Sequence, residues 1–421
     1  MNLDKVEINN CGLGMAYVYQ VVFQSSLDYF ALIGAAIQFL LLIVCVSGIC
    51  YYCYGIYAAI EFFSHPSQID PDFHPPITIL KPICGLDIDT YENFASFCKQ
   101  DYPEYQIIFG VRDGNDPSVQ VVKKIIDDFP EIDINLVISD RTIGTNLKVS
   151  NLANAEVEAK YSLLLLADSD VRVGRDYLQR VIQPMRDPEV GVVTCLYRPF
   201  VRGWVAILEA VGISTEYHAS ILVARALEGM NFALGPTIAI RKSVLEAIGG
   251  FVAIADYLAD DFQLGYLPTQ IGYKVVLSDY VIDHAIATVS FLDLIHRQTR
   301  WNCCTRVSRP WGYLGLIFTH GTPMSLLFLI ATAGSIFGWA IALLTLSMRL
   351  IMAWVVGVKS LKDPVAKNFL WLVPLRDIIT FAIWCNGFFG STIEWRGRRL
   401  QLTKDGKLVA IALPTQEVVP S

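Results

Sequence analysis

Apolar and polar positions divide the chain into an apolar start, an alternating middle and an apolar end. From Tyr29 to Tyr57 the chain is almost uncharged (YFALIGAAIQFLLLIVCVSGICYYCYGIY), long enough to cross a hydrocarbon core of about 30 Å. No basic flank precedes it and no small-residue cleavage site follows, so a retained anchor is expected and not a removable signal. Tyr51, Tyr52, Tyr54 and Tyr57 suit an interfacial aromatic belt; residues 1–28 carry no clear pattern. After a polar linker, His65–Pro76, short apolar runs alternate with amphipathic ones. The runs predict strands at Ile77–Leu80, Tyr105–Val111, Ile134–Ile138, Leu163–Ala167, Gly191–Leu196, Phe232–Ile240 and Tyr273–Leu277. Between them helices are predicted at Tyr91–Lys99, Val119–Phe129, Asn146–Ala159, Tyr177–Met185, Trp204–Leu227, Val244–Ile248 and Asp261–Leu267. Such alternation predicts an α/β class with βαβ units and a mainly parallel sheet. Ser290–Arg306 sets Phe291, Leu292, Ile295 and Trp301 against His296, Arg297, Arg300 and Arg306, the pattern of a helix lying in a membrane surface.

Beyond Tyr313 the pattern turns apolar again. Leu314–Leu346 is too long for one span and is split at Gly334 and Gly338, giving spans near Gly315–Ala333 and Ile336–Val358. Arg349 falls inside the second, where it must snorkel or be preceded by a turn. Phe369–Phe389 contains Pro374, Arg376 and Asp377 and is expected to be interfacial or re-entrant. The expected organisation is an anchor at 1–64, a catalytic domain at 75–288, an interfacial helix at 289–312, membrane and interfacial helices at 313–400, and a tail at 401–421.

Composition supports the membrane part. The chain has 421 residues, of which only 17% are charged, and a mean hydropathy of +0.44, too apolar for a wholly soluble enzyme. Net charge is −7 and no block of five like charges occurs, so no nucleic-acid partner is expected. The ten cysteines are scattered without paired zinc spacing, and Cys50-Tyr51-Tyr52-Cys53 sits in an apolar run as filler. There is no GxGxxG or GxxxxGK[ST], which removes the dinucleotide and P-loop classes. Arg300, Arg306 and Arg309, then Lys359, Lys362 and Lys367, then Arg396, Arg398 and Arg399 flank the C-terminal apolar segments. By the positive-inside rule this places the catalytic domain, the loop and the tail in the cytoplasm.

The candidate chemistry centres on Leu163–Val173 (LLLLADSDVRV), where a buried strand delivers Asp168-Ser169-Asp170 to its carboxyl end. Ligands of open α/β sheets bind there, and two carboxylates plus a substrate diphosphate suit Mg²⁺ or Mn²⁺. Asp113, ending another strand, is placed at the same edge, where it can accept hydrogen bonds from a nucleoside. Asp260-Asp261 opens a helix, and paired carboxylates suit a general base on an acceptor hydroxyl. Arg297, Arg300 and Trp301 can clamp phosphates and stack at the membrane edge. Taken singly, each has a plainer role: Asp113 a turn residue, Asp168-Ser169-Asp170 a loop, Asp260-Asp261 a helix cap, Arg297–Trp301 an interfacial anchor, His218 a core histidine, Lys148 a solvated lysine. Their order within a membrane frame favours the joint reading.

The series VRDGNDP (111–117), ADSDVRV (167–173), LADDF (258–262) and RQTRW (297–301) resembles the D, DxD, (E/D)D, (Q/R)xxRW series of membrane-bound family 2-type glycosyltransferases. ILKPICG (79–85), GTNLKVSNL (144–152), His218 ahead of a strand-RK element and EWRGRRL (394–400) are similar to the ceramide glucosyltransferase family, over roughly 75–400. VVTCLYRP (192–199) and LVARAL (222–227) also resemble bacterial members associated with hopanoid lipids and UDP-N-acetylglucosamine. The resemblance implies a GT-A fold, a UDP-sugar donor (UDP-glucose first), a divalent metal, inversion at the anomeric carbon and a membrane-lipid acceptor. It implies Asp113 at the uridine and Asp170 at the metal; Asp168 can share the metal, and Lys148, Asp168 and Arg297 are candidate donor-binding residues. Asp261 would be the base beside Asp260, Arg300 and Trp301 would sit at the diphosphate and acceptor end, and His218 near the lipid hydroxyl. Animal ceramide-using members can have Asp-Ser-Gly where this chain has Asp168-Ser169-Asp170, which leaves ceramide and hopanoid acceptors both open. The bacterial phrases favour a bacterial inner membrane over the Golgi. Few membrane segments after Trp301 argue against a processive polysaccharide synthase, and intact acidic and basic motifs argue against a non-catalytic scaffold.

Overall fold

The computed structural model describes residues 4–286, 290–395 and 398–410, with side chains from Tyr29 onward except Trp395. Arg396 and Gly397 of EWRGRRL and residues 411–421 of the expected tail lie outside the described residues. The first element, α1 (Asp4–Ser64), is one helix that carries the apolar run past Tyr57. Pro66 is the first residue that cannot continue it.

Then come β1 (Ile77–Pro82), α2 (Thr90–Cys98), β2 (Tyr105–Val111), α3 (Ser118–Asp128), β3 (Asp133–Ile138), α4 (Leu147–Glu156), β4 (Leu163–Ala167), β5 (Val171–Arg172) and α5 (Tyr177–Ile182). They are followed by β6 (Val190–Val201), α6 (Trp204–Gly212), α7 (His218–Glu228), β7 (Thr237–Arg241), α8 (Lys242–Ala247), α9 (Asp260–Gln270) and β8 (Lys274–Ile286). Among the described residues the strands form one sheet in the order β3-β2-β1-β4-β7-β6-β8-β5. Four of its seven pairings are parallel, with β7 inserted antiparallel between β4 and β6.

Period-two alternation sorts the strand side chains into two layers. Ile77, Ile79, Ile107 and Leu165 pack with Phe94, Phe97 and Tyr177 on one face. Leu80, Ile108, Leu164 and Leu166 pack with Val149, Leu152 and Ile254 on the other. Each fully buried aliphatic or aromatic side chain contributes about 1.5–3 kcal/mol of transfer free energy. That double burial is why β4 reads as an unbroken leucine run.

Several expected boundaries are corrected. The strand expected at Phe232–Ile240 begins only at Thr237, because Pro236 has no N–H for a ladder; its carbonyl accepts from the Asp168 N–H at 3.2 Å instead. The strand expected at Tyr273–Leu277 extends to Ile286 as β8, and that at Gly191–Leu196 to Val201 as β6. These two pair along their length across two register shifts. The helix expected over Trp204–Leu227 is broken by a π-helical turn, Ile213–Tyr217, between α6 and α7.

The C-terminal part holds α10 (Phe291–Ser308), α11 (Pro310–Gly315), α12 (Gly321–Ala331), α13 (Ile336–Ala353), α14 (Pro364–Phe369) and α15 (Val373–Asn386). Ser290 and Asp293 form a capping box at the start of α10. The expected break at Gly334 is present, with Ala333 at φ 50° and Gly334 at φ 71°. Tyr29–Ser64, Ile336–Ser360 and Pro364–Asn386 are long and apolar enough to cross a membrane, while Pro310–Thr319 and Gly321–Ala331 form a pair bent by 56°. Arg349 is buried, 6.0 Å over the ring of Tyr52. Where helices and a plain tail were expected, β9 (Thr392–Trp395), β10 (Arg398–Leu402) and β11 (Leu408–Ala410) form an antiparallel sheet. The chain divides into two compact units, Met1–Tyr52 with Ile317–Arg349, and Cys53–Leu316 with Leu350–Ser421.

Candidate active site

The order β2-β1-β4 brings the exits of β2 and β4 to one sheet edge, either side of β1. Asp168 leaves β4 there, and the protein's own groups hold the loop that follows. Lys81 Nζ, at the buried end of β1, donates to the Asp168 carbonyl at 2.9 Å. Its ammonium lies 3.7 Å from the centre of the Phe97 ring. Burial pulls Lys81 down to about 7 against the opposing pull of Asp168 and Asp170. Ser169 Oγ donates to Asp87 Oδ2 at 2.5 Å. Asp170 faces His284 Nε2 of β8 at 3.2 Å. Burial is the largest single cause and disfavours charge on both, but the partner's charge, the hydrogen bond between them and the neighbouring Lys148 and Asp168 together outweigh it, so His284 is raised and Asp170 lowered.

Lys148 joins this edge to Asp260. Asn146 caps α4, its Oδ1 accepting from the Lys148 and Val149 N–H groups. Lys148 Nζ thereby reaches Asp168 Oδ1 at 2.6 Å and Asp260 Oδ2 at 3.9 Å. Burial alone would lower its pKa, but Asp168 and Asp260 raise it and it remains a cation. Asn146 Nδ2 donates to the Tyr257 carbonyl at 2.9 Å and to Asp260 Oδ1 at 3.3 Å.

Both carboxylates of the first turn of α9 are pushed up. Burial is the larger cause for Asp260, opposed by Lys148. Burial and then the charge of Asp260 raise Asp261 to about 6. Asp261 Oδ2 accepts from the Gly235 N–H at 3.0 Å and Oδ1 from the Phe262 N–H at 2.8 Å. A close contact between α9 and the 232–235 loop supports this geometry. A Cβ on Gly265 would lie 2.3 Å from Ala233 N. Gly265→Ala should therefore lower stability by about 1–3 kcal/mol, read as a fall in Tm; an unchanged Tm would show that this contact can relax freely.

The remaining residues come from α6, α7 and α10. Arg297 Nε lies 3.5 Å from Oε1 of the fully buried Glu209 of α6. Trp301 stacks on Tyr217 of the π turn, centroids 6.3 Å apart. His218 is fully buried, its ring 4.6 Å from Tyr197, which in turn meets His284 at 5.0 Å. Burial holds His218 down to about 3, so it is neutral. Asp261 is close enough to α10 and the π turn that its charge pushes Cys304 and Tyr217 further up than burial alone does. The Arg300 guanidinium on the same helix pulls Cys304 the other way.

The structure thus groups Lys148, Asp168, Asp260 and Asp261, with Asp170 beside them through the DxD loop. Asp113 lies on the same edge in an exposed turn, where its Oδ1 accepts from the Asn115 N–H at 2.9 Å. Lys81, Glu209, Tyr217 and His284 were missed as site residues. A lysine ending a strand and a glutamate inside the apolar WVAILEAVG stretch were visible signals. His284 was hidden because β8 was cut short at Leu277.

The pattern of glycosyl transferase family 21 matches residues 40–408. Ceramide glucosyltransferase 1 of Caenorhabditis elegans is 25% identical over 363 residues, covering 82% of this chain and 75% of the relative. Ceramide glucosyltransferase 3 of the same organism is 29% identical over 231 residues, 54% of this chain and 50% of the relative. In fold, the chain is similar to a mannosyltransferase from Pyrobaculum calidifontis solved with GDP-mannose and Mn²⁺. The TM-score is 0.53 at 16% identity, over 84% of this chain and 99% of that one. With a match across most of its length, and a sheet whose edge carries the DxD and paired carboxylates, the chain belongs to glycosyltransferase family 21.

Proposed function

We propose that the protein transfers a hexose from a UDP-sugar, UDP-glucose first, to the primary hydroxyl of a ceramide-like membrane lipid with inversion. The observation that carries this reading is Asp261, a half-buried carboxylate beside the buried Asp260, raised to about 6 and linked through Asp260 and Lys148 to the DxD edge. A group of that pKa is ionised at neutral pH yet basic enough to take a proton from a hydroxyl as the oxygen attacks the anomeric carbon. Attack from the face opposite UDP gives inversion. Asp113 meets the uridine, and Arg297 and Arg300 supply positive charge to the diphosphate. Trp301 and the neutral His218 border the acceptor hydroxyl.

The donor set also fits a divalent cation. Asp168 and Asp170 offer hard carboxylate oxygens where β4 ends at the sheet edge. That suits a cation shared with the diphosphate. Mg²⁺ or Mn²⁺ held by Asp168 and Asp170 would supply charge neutralisation for the departing UDP.

The membrane spans and their basic flanks support a catalytic unit on the cytoplasmic face, with a bacterial inner membrane preferred to the Golgi. UDP release by the detergent-solubilised full chain with Mn²⁺ tests the reading, crossing UDP-glucose and UDP-N-acetylglucosamine with ceramide, diacylglycerol and a polyhydroxylated hopanoid. Turnover of UDP-glucose with ceramide is the expected result. Turnover only of the N-acetylated donor with the hopanoid replaces the substrate pair. No release with any pair, despite UDP binding, removes the lipid acceptor. In the productive pair kcat should fall below a pH of about 6, because protonated Asp261 cannot accept the proton. An acid limb near 4 would mean that the base is an ordinary carboxylate.

A further inference from the structure

The small C-terminal sheet pairs with the loop that delivers the carboxylates. The Leu408 N–H donates to the Asp256 carbonyl at 2.7 Å, and the Leu258 N–H to the Gly406 carbonyl at 3.1 Å. Between them Tyr257 bridges Lys407, whose ammonium lies 5.6 Å from the centre of the Tyr257 ring. The same loop is fastened from the other side. Asp256 Oδ1 accepts from the Thr145 N–H at 2.8 Å and from its Oγ1 at 3.0 Å. The Asn146 N–H donates to the Ala255 carbonyl at 2.8 Å. Arg398 of β10 also reaches the Thr145 carbonyl at 3.5 Å.

Apolar packing adds a third tie. Leu258, Cys303 of α10, Ile393, Leu400, Leu402 and Leu408 form one buried cluster. Thus a short sheet at the far end of the sequence touches the residues before Asp260, the residues before Lys148 and the helix carrying Arg300 and Trp301.

We propose that the C-terminal sheet is a positioning element of the active site. It adds a strand edge to residues 256–258 and so sets Asp260 and Asp261 against α10, acting through the loop and not on substrate. The proposal rests on the reading of Asp261 as the base. Main-chain pairing is suited to the task because two hydrogen bonds flanking one residue fix register as well as distance. An error of about 1 Å in such a position can cost about 100-fold in rate.

The test uses Leu408→Pro in the full chain, which removes the N–H given to Asp256, beside Leu408→Ile, which keeps it. The expected result for the proline variant is a fall in kcat of about 100-fold with the Kd for UDP within about twofold. The isoleucine variant should return to within about threefold of the native rate. A proline variant that binds UDP and turns over at the native rate overturns the proposal. Amide hydrogen exchange on the native chain decides independently of folding in the variant. Matched slow exchange at Leu258 and Leu408 supports the pairing, and full exchange at either within seconds in active protein overturns it. If the native chain released no UDP with any lipid, the transfer reading would fail while the exchange result still judged the pairing.

Discussion

Asp261→Asn should lower kcat by about 10²–10⁴-fold while leaving UDP affinity within about twofold. The split follows from geometry. Asp261 is anchored by the Gly235 and Phe262 N–H groups, on the α9 side of Lys148. The residues assigned to the nucleotide, Asp113 and the DxD loop, are held by different contacts. Asparagine keeps the size and one acceptor oxygen but cannot take a proton. Stopped turnover with intact UDP binding would therefore assign the base, and native turnover in this variant would remove Asp261 from that role.

Lys148→Met should be the more damaging change to the site as a whole. One ammonium lies 2.6 Å from Asp168 and 3.9 Å from Asp260. Its removal leaves carboxylates in a half-buried cluster without their shared cation, a class of change that costs about 3–5 kcal/mol. Stability should fall at neutral pH. It should recover as pH drops, because Asp260 and Asp261 are raised even with Lys148 present. Without it they are raised further, so the folded state takes up protons before the unfolded chain does. The acid limb of kcat should move upward from about 6 for the same reason. A variant with native Tm and an unmoved limb would show that solvent already screens this cluster.

Much of this edge was legible because it is local. LLLLA running into Asp168-Ser169-Asp170 announces a buried strand and its exit, and the helices between strands announce crossovers. The lost information was of two kinds. Pairing partners far apart in sequence leave no period: the sequence SDYVIDHAI carries Asp279 and Asp283 among its apolar residues, so β8 looked finished at Leu277 and His284 went unnoticed. Identity alone also does not fix burial. Lys81 and Glu209 read as surface charges by type, yet each is fully buried, because a carbonyl and an aromatic ring hold the one and Arg297 faces the other. Pro236 shows the reverse case, where a single residue vetoes a strand that hydrophobicity favoured.

The pairing of residues 406–408 with 256–258 also constrains how the polypeptide threads the bilayer. Segments joined by backbone hydrogen bonds share a side, so the chain between Leu316 and Ser391 is expected to cross an even number of times. The apolar stretches available there are the bent pair ending at Ala331, Ile336–Ser360 and Pro364–Asn386, an odd number if each crossed fully. At least one of the three is therefore expected to turn back. Pro364–Asn386 is the natural one. Its Arg376 and Asp377 are buried, with Arg376 Nη2 donating to Gln298 of α10 at 2.9 Å and its Nε 2.2 Å from where a Cβ on Gly212 would stand. The parity of the threading is thus tied to two backbone hydrogen bonds in the small C-terminal sheet.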